Sequence, residues 1–151
     1  MPDARVAASL APNKSLGQHF LRDAAAARDI AARALAARAD AVIEIGPGPG
    51  ALTTHLVDHA ARVVLVEKDE RFATALRERY AARPDVTVVV GDATDVDVIS
   101  FLPPGARAVV VGNLPYNAAT PIYFRLLARP QRERLVRLVL MFQLEVAVRL
   151  T

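Results

Sequence analysis

Three glycines at alternate positions, Gly46-x-Gly48-x-Gly50, follow a short apolar run, Ala41–Ile45. Glycine at such a turn lets the backbone approach a ligand with no Cβ in the way. A helix opening at this turn points its first amides at the same spot. Glu67 lies 21 positions beyond Gly46, close to the ~20-residue interval at which an acidic side chain grips a ribose diol. A carboxylate suits that task because it accepts two hydroxyl hydrogen bonds. Asp92 is an acceptor of the kind that holds an adenine amino group. Gly46, Gly48, Glu67 and Asp92 together describe a nucleoside-bearing cofactor. The third glycine comes one residue early for a dinucleotide fingerprint, which favours S-adenosylmethionine over NAD. The glycine turn alone fits either cofactor, or a plain strand–helix turn.

Asn113-Leu114-Pro115-Tyr116 narrows the reaction. The Asn-x-Pro-Tyr pattern resembles the signature of amino-methyltransferases. An exocyclic adenine amine is a poor nucleophile because its lone pair is delocalised into the ring. An Asn113 side-chain oxygen and the Leu114 carbonyl that accept its two N–H groups localise that lone pair and orient it. Pro115 fixes the backbone that carries the carbonyl. Tyr116 offers a flat face for a base taken out of its stack. No strong general base is needed, because the alkylated nitrogen sheds its proton to water.

The elements that must position these groups alternate strand and helix. Residues 22–39 read as an alanine-rich helix, followed by the strand Ala41–Ile45 and a helix over Ala51–Ala60. Arg62–Val66 is a second strand. Asp69–Ala82 is a helix with Asp69 as N-cap. Val86–Val90 is a third strand and Asp92–Leu102 a short helical or irregular connection. Ala108–Val111 is a fourth strand, Pro121–Ala128 a helix, Leu135–Phe142 a fifth apolar run, and Gln143–Leu150 opens another helix. The strands are solid aliphatic runs, as in sheets covered on both faces. Such alternation predicts an open, mostly parallel, doubly wound α/β sheet. Gly46, Glu67, Asp92 and Asn113 then all fall at the carboxyl edge, where such sheets bind ligands.

Composition sets the outer bounds. The chain has 151 residues, 53% apolar and 23% charged, with a net charge of +3 and no cysteine. That is enough chain for a core without staples. High apolar content with low net charge excludes disorder. The missing cysteines exclude a disulfide framework and a thiolate zinc site. No apolar run reaches the ~20 residues that span a bilayer, and the amino terminus lacks the pattern of a signal peptide. A cytoplasmic protein without membrane or metal partners is the expectation. His55 and His59 are spaced i, i+4, but a zinc protease needs Glu at position 56, which is Leu. Arg125, Arg129, Arg132, Arg134 and Arg137 form the densest basic stretch. Such a cluster reads as an RNA phosphate contact or, equally, as a solvated face in an arginine-biased chain.

The segments Lys14–Leu21 (KSLGQHFL), Glu44–Thr53 (EIGPGPGALT), Val66–Asp69 (VEKD), Gly91–Ala93 (GDA), Gly112–Asn117 (GNLPYN) and Met141–Gln143 (MFQ) with Glu145–Ala147 (EVA) resemble the ribosomal RNA adenine dimethyltransferase family of the KsgA type. The resemblance spans residues 13–151. It implies a Rossmann-like class I fold that uses S-adenosylmethionine to dimethylate two adjacent adenines of small-subunit (16S) rRNA during ribosome biogenesis. It also implies cofactor binding by His19, Leu21, Gly46, Gly48, Glu67, Asp92 and Asn113. Catalysis falls to Asn113, Leu114 and Tyr116, and the target base to Tyr116 and Phe142. Where the family usually has lysine and an acid in the last helix, this chain has Leu144 and Val148.

The resemblance further implies that residues 1–21 form a mobile arm. Residues 22–151 then form a partial methyltransferase domain, lacking later strands and a helical domain. Leu135–Phe142 becomes an exposed edge strand prone to self-association. The partner is small-subunit rRNA or the 30S particle, and a shortened chain is expected to lack full RNA recognition. Two neighbouring readings are a large-subunit rRNA methyltransferase of the macrolide-resistance type and a noncatalytic ribosome-assembly factor that binds RNA. An NAD oxidoreductase is more distant.

Overall fold

The computed structural model describes residues 10–13 and 20–151. Five strands form one parallel sheet in the order β3-β2-β1-β4-β5. They are β1 (Ala41–Ile45), β2 (Val63–Glu67), β3 (Val86–Val90), β4 (Ala108–Asn113) and β5 (Leu135–Met141). The helices between them are α1 (Ala24–Leu35), α2 (Thr53–Leu56), α3 (Glu70–Arg79), α4 (Ala119–Leu127), α5 (Gln131–Arg134) and α6 (Leu144–Leu150). A 3-10 turn, Val98–Phe101, links β3 to β4.

The aliphatic runs are explained by two apolar layers. Side chains alternate across a strand. Ile43, Ile45, Val64, Val66 and Val110 face one layer with Val98, Ile99, Ile122 and Leu126. Val42, Val63, Leu65, Val109 and Val111 face the other with Ala31, Ala34, Leu56 and Leu76. The three inner strands are therefore buried on both sides, whereas the edge strands β3 and β5 are only half-buried. Alanine at 31 and 34 lets α1 lie close to the sheet while adding little buried area.

Helix boundaries follow local chemistry. The Asp23 carboxylate accepts from the amides of Ala25 and Ala26, at 2.9 and 3.2 Å, and starts α1. Asp69 caps α3 through the Arg71 amide at 3.0 Å, as its sequence position predicts. The helix expected over Ala51–Ala60 is shorter, a single α turn. The amides of His55 and His59 donate to the carbonyls of Leu52 and Leu56, each three residues back, so the segment closes into tight turns at both ends. The helix Gln131–Arg134 is not expected from the sequence. It is held by Gln131, which is buried, accepts from the Val98 amide at 3.0 Å and donates to the Arg125 carbonyl at 3.1 Å.

The chain turns from β1 to β2 on one side and reaches β4 on the other. The crevice between the carboxyl ends of β1 and β4 is thus the topological switch point, the usual ligand site of an open parallel sheet. Gly112 pairs with Ile45 across it. A Cβ on Gly112 would lie 2.5 Å from the Ile45 carbonyl oxygen, so glycine permits this close approach.

Candidate cofactor and base site

One cavity at this edge is lined by Gly46, Gly48, Glu67, Asp92 and Asn113 together. Ile45, Val66, Ala93 and Ile122 form apolar walls, and Pro115, the residue before Tyr116, also lines the cavity. Four separate strand ends thus deliver the residues singled out by spacing. Gly46 and Gly48 have φ of 68° and 52°, in the left-handed region that favours glycine. A Cβ on Gly46 would lie 3.3 Å from the Asn113 carbonyl oxygen.

Glu67 ends β2 and is 4% exposed. Its Oε2 accepts from the Gly48 amide at 2.9 Å and its Oε1 from the Asp69 amide at 2.8 Å. Burial pushes its carboxyl above the ordinary range, against the amide bonds from Asp69, Gly48 and Lys68 that favour the ionised form. Asp92 follows β3. Its Oδ1 accepts from the Thr94 amide at 2.9 Å and the Thr94 hydroxyl at 2.7 Å, and its Oδ2 lies 3.0 Å from the Lys68 ammonium. Burial works to raise the Asp92 carboxyl, but the Thr94 and Lys68 donors outweigh it and hold it below the ordinary carboxylate range.

A smaller cavity adjoins the glycine turn, and Gly46 and Asn113 line both. Leu21 and Glu44 line this second one. Sequence reasoning assigned Glu44 no role of its own. It is 2% exposed and bonded to the Thr53 hydroxyl at 2.6 Å. Burial, opposed by the Thr53 bond and assisted by the negative charge of Glu67, raises its carboxyl to about 8. It is therefore protonated at neutral pH. An acid one residue before the end of an otherwise aliphatic strand was the available signal. Phe20, also missed, lines both cavities and sets its ring edge-on to Phe72 at 5.1 Å. His19 lies outside the described residues.

Asn113 closes β4, and Leu114, buried, donates its amide to the Met141 carbonyl at 3.4 Å. Tyr116 is 46% exposed just beyond Pro115. Phe142 follows β5 at the same edge but does not line the cavity; its ring lies edge-on to Tyr123, 5.9 Å between centroids. The site thus brings together the cofactor-type residues and Asn113, with Tyr116 next to the lining residue Pro115 and Phe142 outside the lining.

Part of the basic stretch is tied into the fold, while Arg129, Arg132 and Arg137 are exposed, as in a solvated face. Arg125 donates to the carbonyls of Val96 and Asp95, Arg134 to those of Ala106 and Pro103, and Arg137 to that of Arg33. Arg129 pairs with Glu133 at 3.3 Å. Arg125, Arg134 and Arg137 thus satisfy loop and helix-end carbonyls. Leu144 and Val148 are exposed on α6. Among the described residues, no group of three or more His, Cys, Asp or Glu side chains comes together to hold a metal ion, and no helix is long and apolar enough to cross a membrane.

Comparison with known proteins agrees with this geometry. A family model described as ribosomal RNA adenine dimethylase matches residues 10–151. The ribosomal RNA small subunit methyltransferase A of Phenylobacterium zucineum is 46% identical over 149 residues, 99% of this chain and 51% of its own length. That of Geobacter sulfurreducens is 44% identical over 142 residues, 91% of this chain and 50% of its own length. Among solved structures, the 23S rRNA methyltransferase ErmE superposes with a TM-score of 0.72 at 35% identity, covering 85% of this chain and 50% of the other. A dimethyladenosine transferase from Plasmodium falciparum gives 0.68 at 31% identity, covering 87% and 46%. The chain spans about half the length of these relatives.

Proposed function

The chain belongs to the ribosomal RNA adenine dimethylase family, and from that premise we propose that its cavity binds S-adenosylmethionine for methyl transfer to the exocyclic amines of two adjacent adenines in small-subunit rRNA. The observation that carries this reading is the meeting of Gly46, Gly48, Glu67, Asp92 and Asn113 on one cavity at the switch point. The donor set fits the cofactor: a buried carboxylate fixed by two amides for a diol, a second carboxylate for an amino group, and a turn without Cβ atoms beside them. When bound, S-adenosylmethionine supplies an electrophilic methyl group on a sulfonium.

The chain's own groups bind and orient. Glu67 holds the diol and Asp92 the amino edge of the cofactor's base. Asn113 and the Leu114 carbonyl accept the two N–H groups of the target amine and aim its lone pair. Pro115 fixes the turn between them and Tyr116. Tyr116 stacks on the target adenine, and Phe142, just past β5 at the same edge, closes the other face of that base. His19, by family resemblance, joins the cofactor contacts.

Relatives at 44–46% identity that are named for the small subunit support small-subunit rRNA as substrate. Cytoplasmic ribosomal particles are the implied partner, and the half-buried edge strand β5 is the implied surface for self-association. Two measurements test the reading. Calorimetry detects S-adenosylmethionine binding that Glu67→Ala abolishes or severely weakens, and methyl transfer is assayed on undermethylated small and large subunits. Undiminished binding by the variant, or transfer only to large subunits, overturns the corresponding part.

A further inference from the structure

Lys68 has no part in the function described above, although it lines the same cavity as Asp92. It follows Glu67 directly, and its backbone amide is one of the donors to the Glu67 carboxyl. Its ammonium lies 3.0 Å from Asp92 Oδ2, with the lysine side chain 49% exposed and that of Asp92 24% exposed. One residue therefore joins the carboxylate at the diol end of the cavity to the carboxylate at the base end.

The hydrogen bonds on Asp92 leave little freedom. A carboxylate has about four lone-pair positions, two on each oxygen. Oδ1 accepts two donors, the amide and hydroxyl of Thr94. Oδ2 accepts the Lys68 ammonium. One acceptor position remains, on the oxygen that Lys68 holds. With both oxygens engaged the carboxylate is fixed against rotation, so the remaining position has a set direction.

We propose that Lys68 is a positioning and specificity-determining residue of this site: it holds Asp92 so that its one remaining acceptor position selects a base carrying an exocyclic amine over a base carrying an oxo group. This rests on the reading of the cavity as an adenosine-cofactor site. An amine brings an N–H to that position, whereas an oxo group brings only lone pairs against the carboxylate oxygen. Lys68 acts on the base through Asp92 and not by direct donation.

The test is calorimetry with S-adenosylhomocysteine and its deaminated counterpart, S-inosylhomocysteine. The proteins are the parent chain, Lys68→Met, Lys68→Arg, Asp92→Asn and the double variant Lys68→Met with Asp92→Asn. Methionine keeps much of the stem without the charge, and the half-exposed position leaves folding intact, which thermal unfolding verifies. Lys68→Met is expected to weaken S-adenosylhomocysteine about fivefold, as befits a partly exposed charged pair. It leaves S-inosylhomocysteine unchanged, so the preference narrows by the same factor. Lys68→Arg keeps the preference, and Lys68→Met adds no penalty once Asp92 is Asn. Equal weakening of both ligands, weakening of the inosyl form alone, or no effect on either overturns the proposal. Failure of the parent chain to bind S-adenosylhomocysteine instead overturns the cofactor reading on which the proposal rests.

Discussion

The backbone amide of Gly48 donates to the Glu67 carboxylate at 2.9 Å, although the two residues stand 19 positions apart. The glycine turn after β1 and the acid at the end of β2 are therefore one unit. A second amide, from Asp69, holds the other oxygen at 2.8 Å. A carboxylate fixed in this way meets a ligand's diol in a set position, which lowers the ordering cost of binding.

Glu67→Ala thus removes the proposed diol contact and also leaves the Gly48 and Asp69 amides without their carboxylate. Cofactor affinity is expected to fall about a hundredfold, the size of a lost charge-assisted hydrogen-bond pair, with a lower melting temperature in the same protein. Glu67→Gln keeps an acceptor for one amide but turns an NH2 group toward the other, and should fall between. Calorimetry together with thermal unfolding separates the two effects. Binding equal to the parent in both variants rejects Glu67 as the diol residue.

Gly112→Ala tests the switch point. The new Cβ would lie 2.5 Å from the Ile45 carbonyl oxygen, and that atom belongs to the neighbouring strand. Backbone cannot yield as a flexible side chain does, so β1 and β4 must separate. A loss of about 2 kcal/mol or more is expected in urea unfolding. Gly105→Ala serves as a control for crowding, since no atom lies within 4 Å of the position its Cβ would take, although its φ of 77° carries its own smaller penalty.

Much of this architecture was legible in the residues because the inner strands are covered on both faces. Val86–Val90 and Ala41–Ile45 have the bounds expected of them, and Glu67, Asp92 and Asn113 sit at or just past strand ends as their spacing required. The shortened α2 was not legible, because its residues carry no breaker inside Ala51–Ala60. Only the three-residue hydrogen bonds from His55 and His59 reveal the tight turns. Gln131 was hidden for a related reason, since a lone amide shows its buried partners, Val98 and Arg125, only once the segment after β3 and α4 are brought together. Lys68 and Asp92 are 24 positions apart, and nothing local links them before β2 and β3 pair in register.

Glu44 makes stability depend on pH. Its carboxyl ionises at an ordinary value of 4.5 in the unfolded chain and at about 8 in the fold. Between those values the folded state binds the extra proton, so this group's contribution is complete below about pH 4.5 and is lost as pH rises through about 8. Glu44→Gln carries no such proton. It should match the parent near pH 5 and exceed it near pH 8 by on the order of 1–3 kcal/mol, a rise of several degrees in Tm. Melting curves across that range decide it, and a parallel pH dependence in the two proteins contradicts a neutral Glu44.

Asn113→Ala separates binding from chemistry. Asn113 lines both cavities, and its side-chain oxygen is the assigned acceptor for one N–H of the target amine. Removing it should lower the methyl-transfer rate by about two orders of magnitude or more, the scale of a lost orienting group. Cofactor affinity is expected to change by no more than about tenfold, the scale of a single hydrogen bond. Single-turnover transfer to undermethylated small subunits, measured beside calorimetry, shows the split. A rate that falls only in step with affinity places Asn113 in cofactor binding alone.

Arg125 and Arg134 belong to a stretch that reads in the sequence as an RNA contact or, equally, a solvated face; each donates to two backbone carbonyls, at 3.0 and 2.8 Å for Arg125 and at 2.8 and 2.7 Å for Arg134. Their guanidinium forks tie α4 to the loop after β3, and the end of α5 to the loop before β4. Truncation to alanine leaves those carbonyls without their donors, so each variant should lose about 1–2 kcal/mol of stability. If this structural use is their whole role, RNA affinity and its dependence on salt stay as in the parent chain at temperatures where both remain folded. A phosphate contact predicts the reverse: the slope of log affinity against log salt falls by roughly one unit per arginine removed. Filter binding at several salt concentrations, set beside thermal unfolding, distinguishes a staple from an RNA contact because only the second changes that slope.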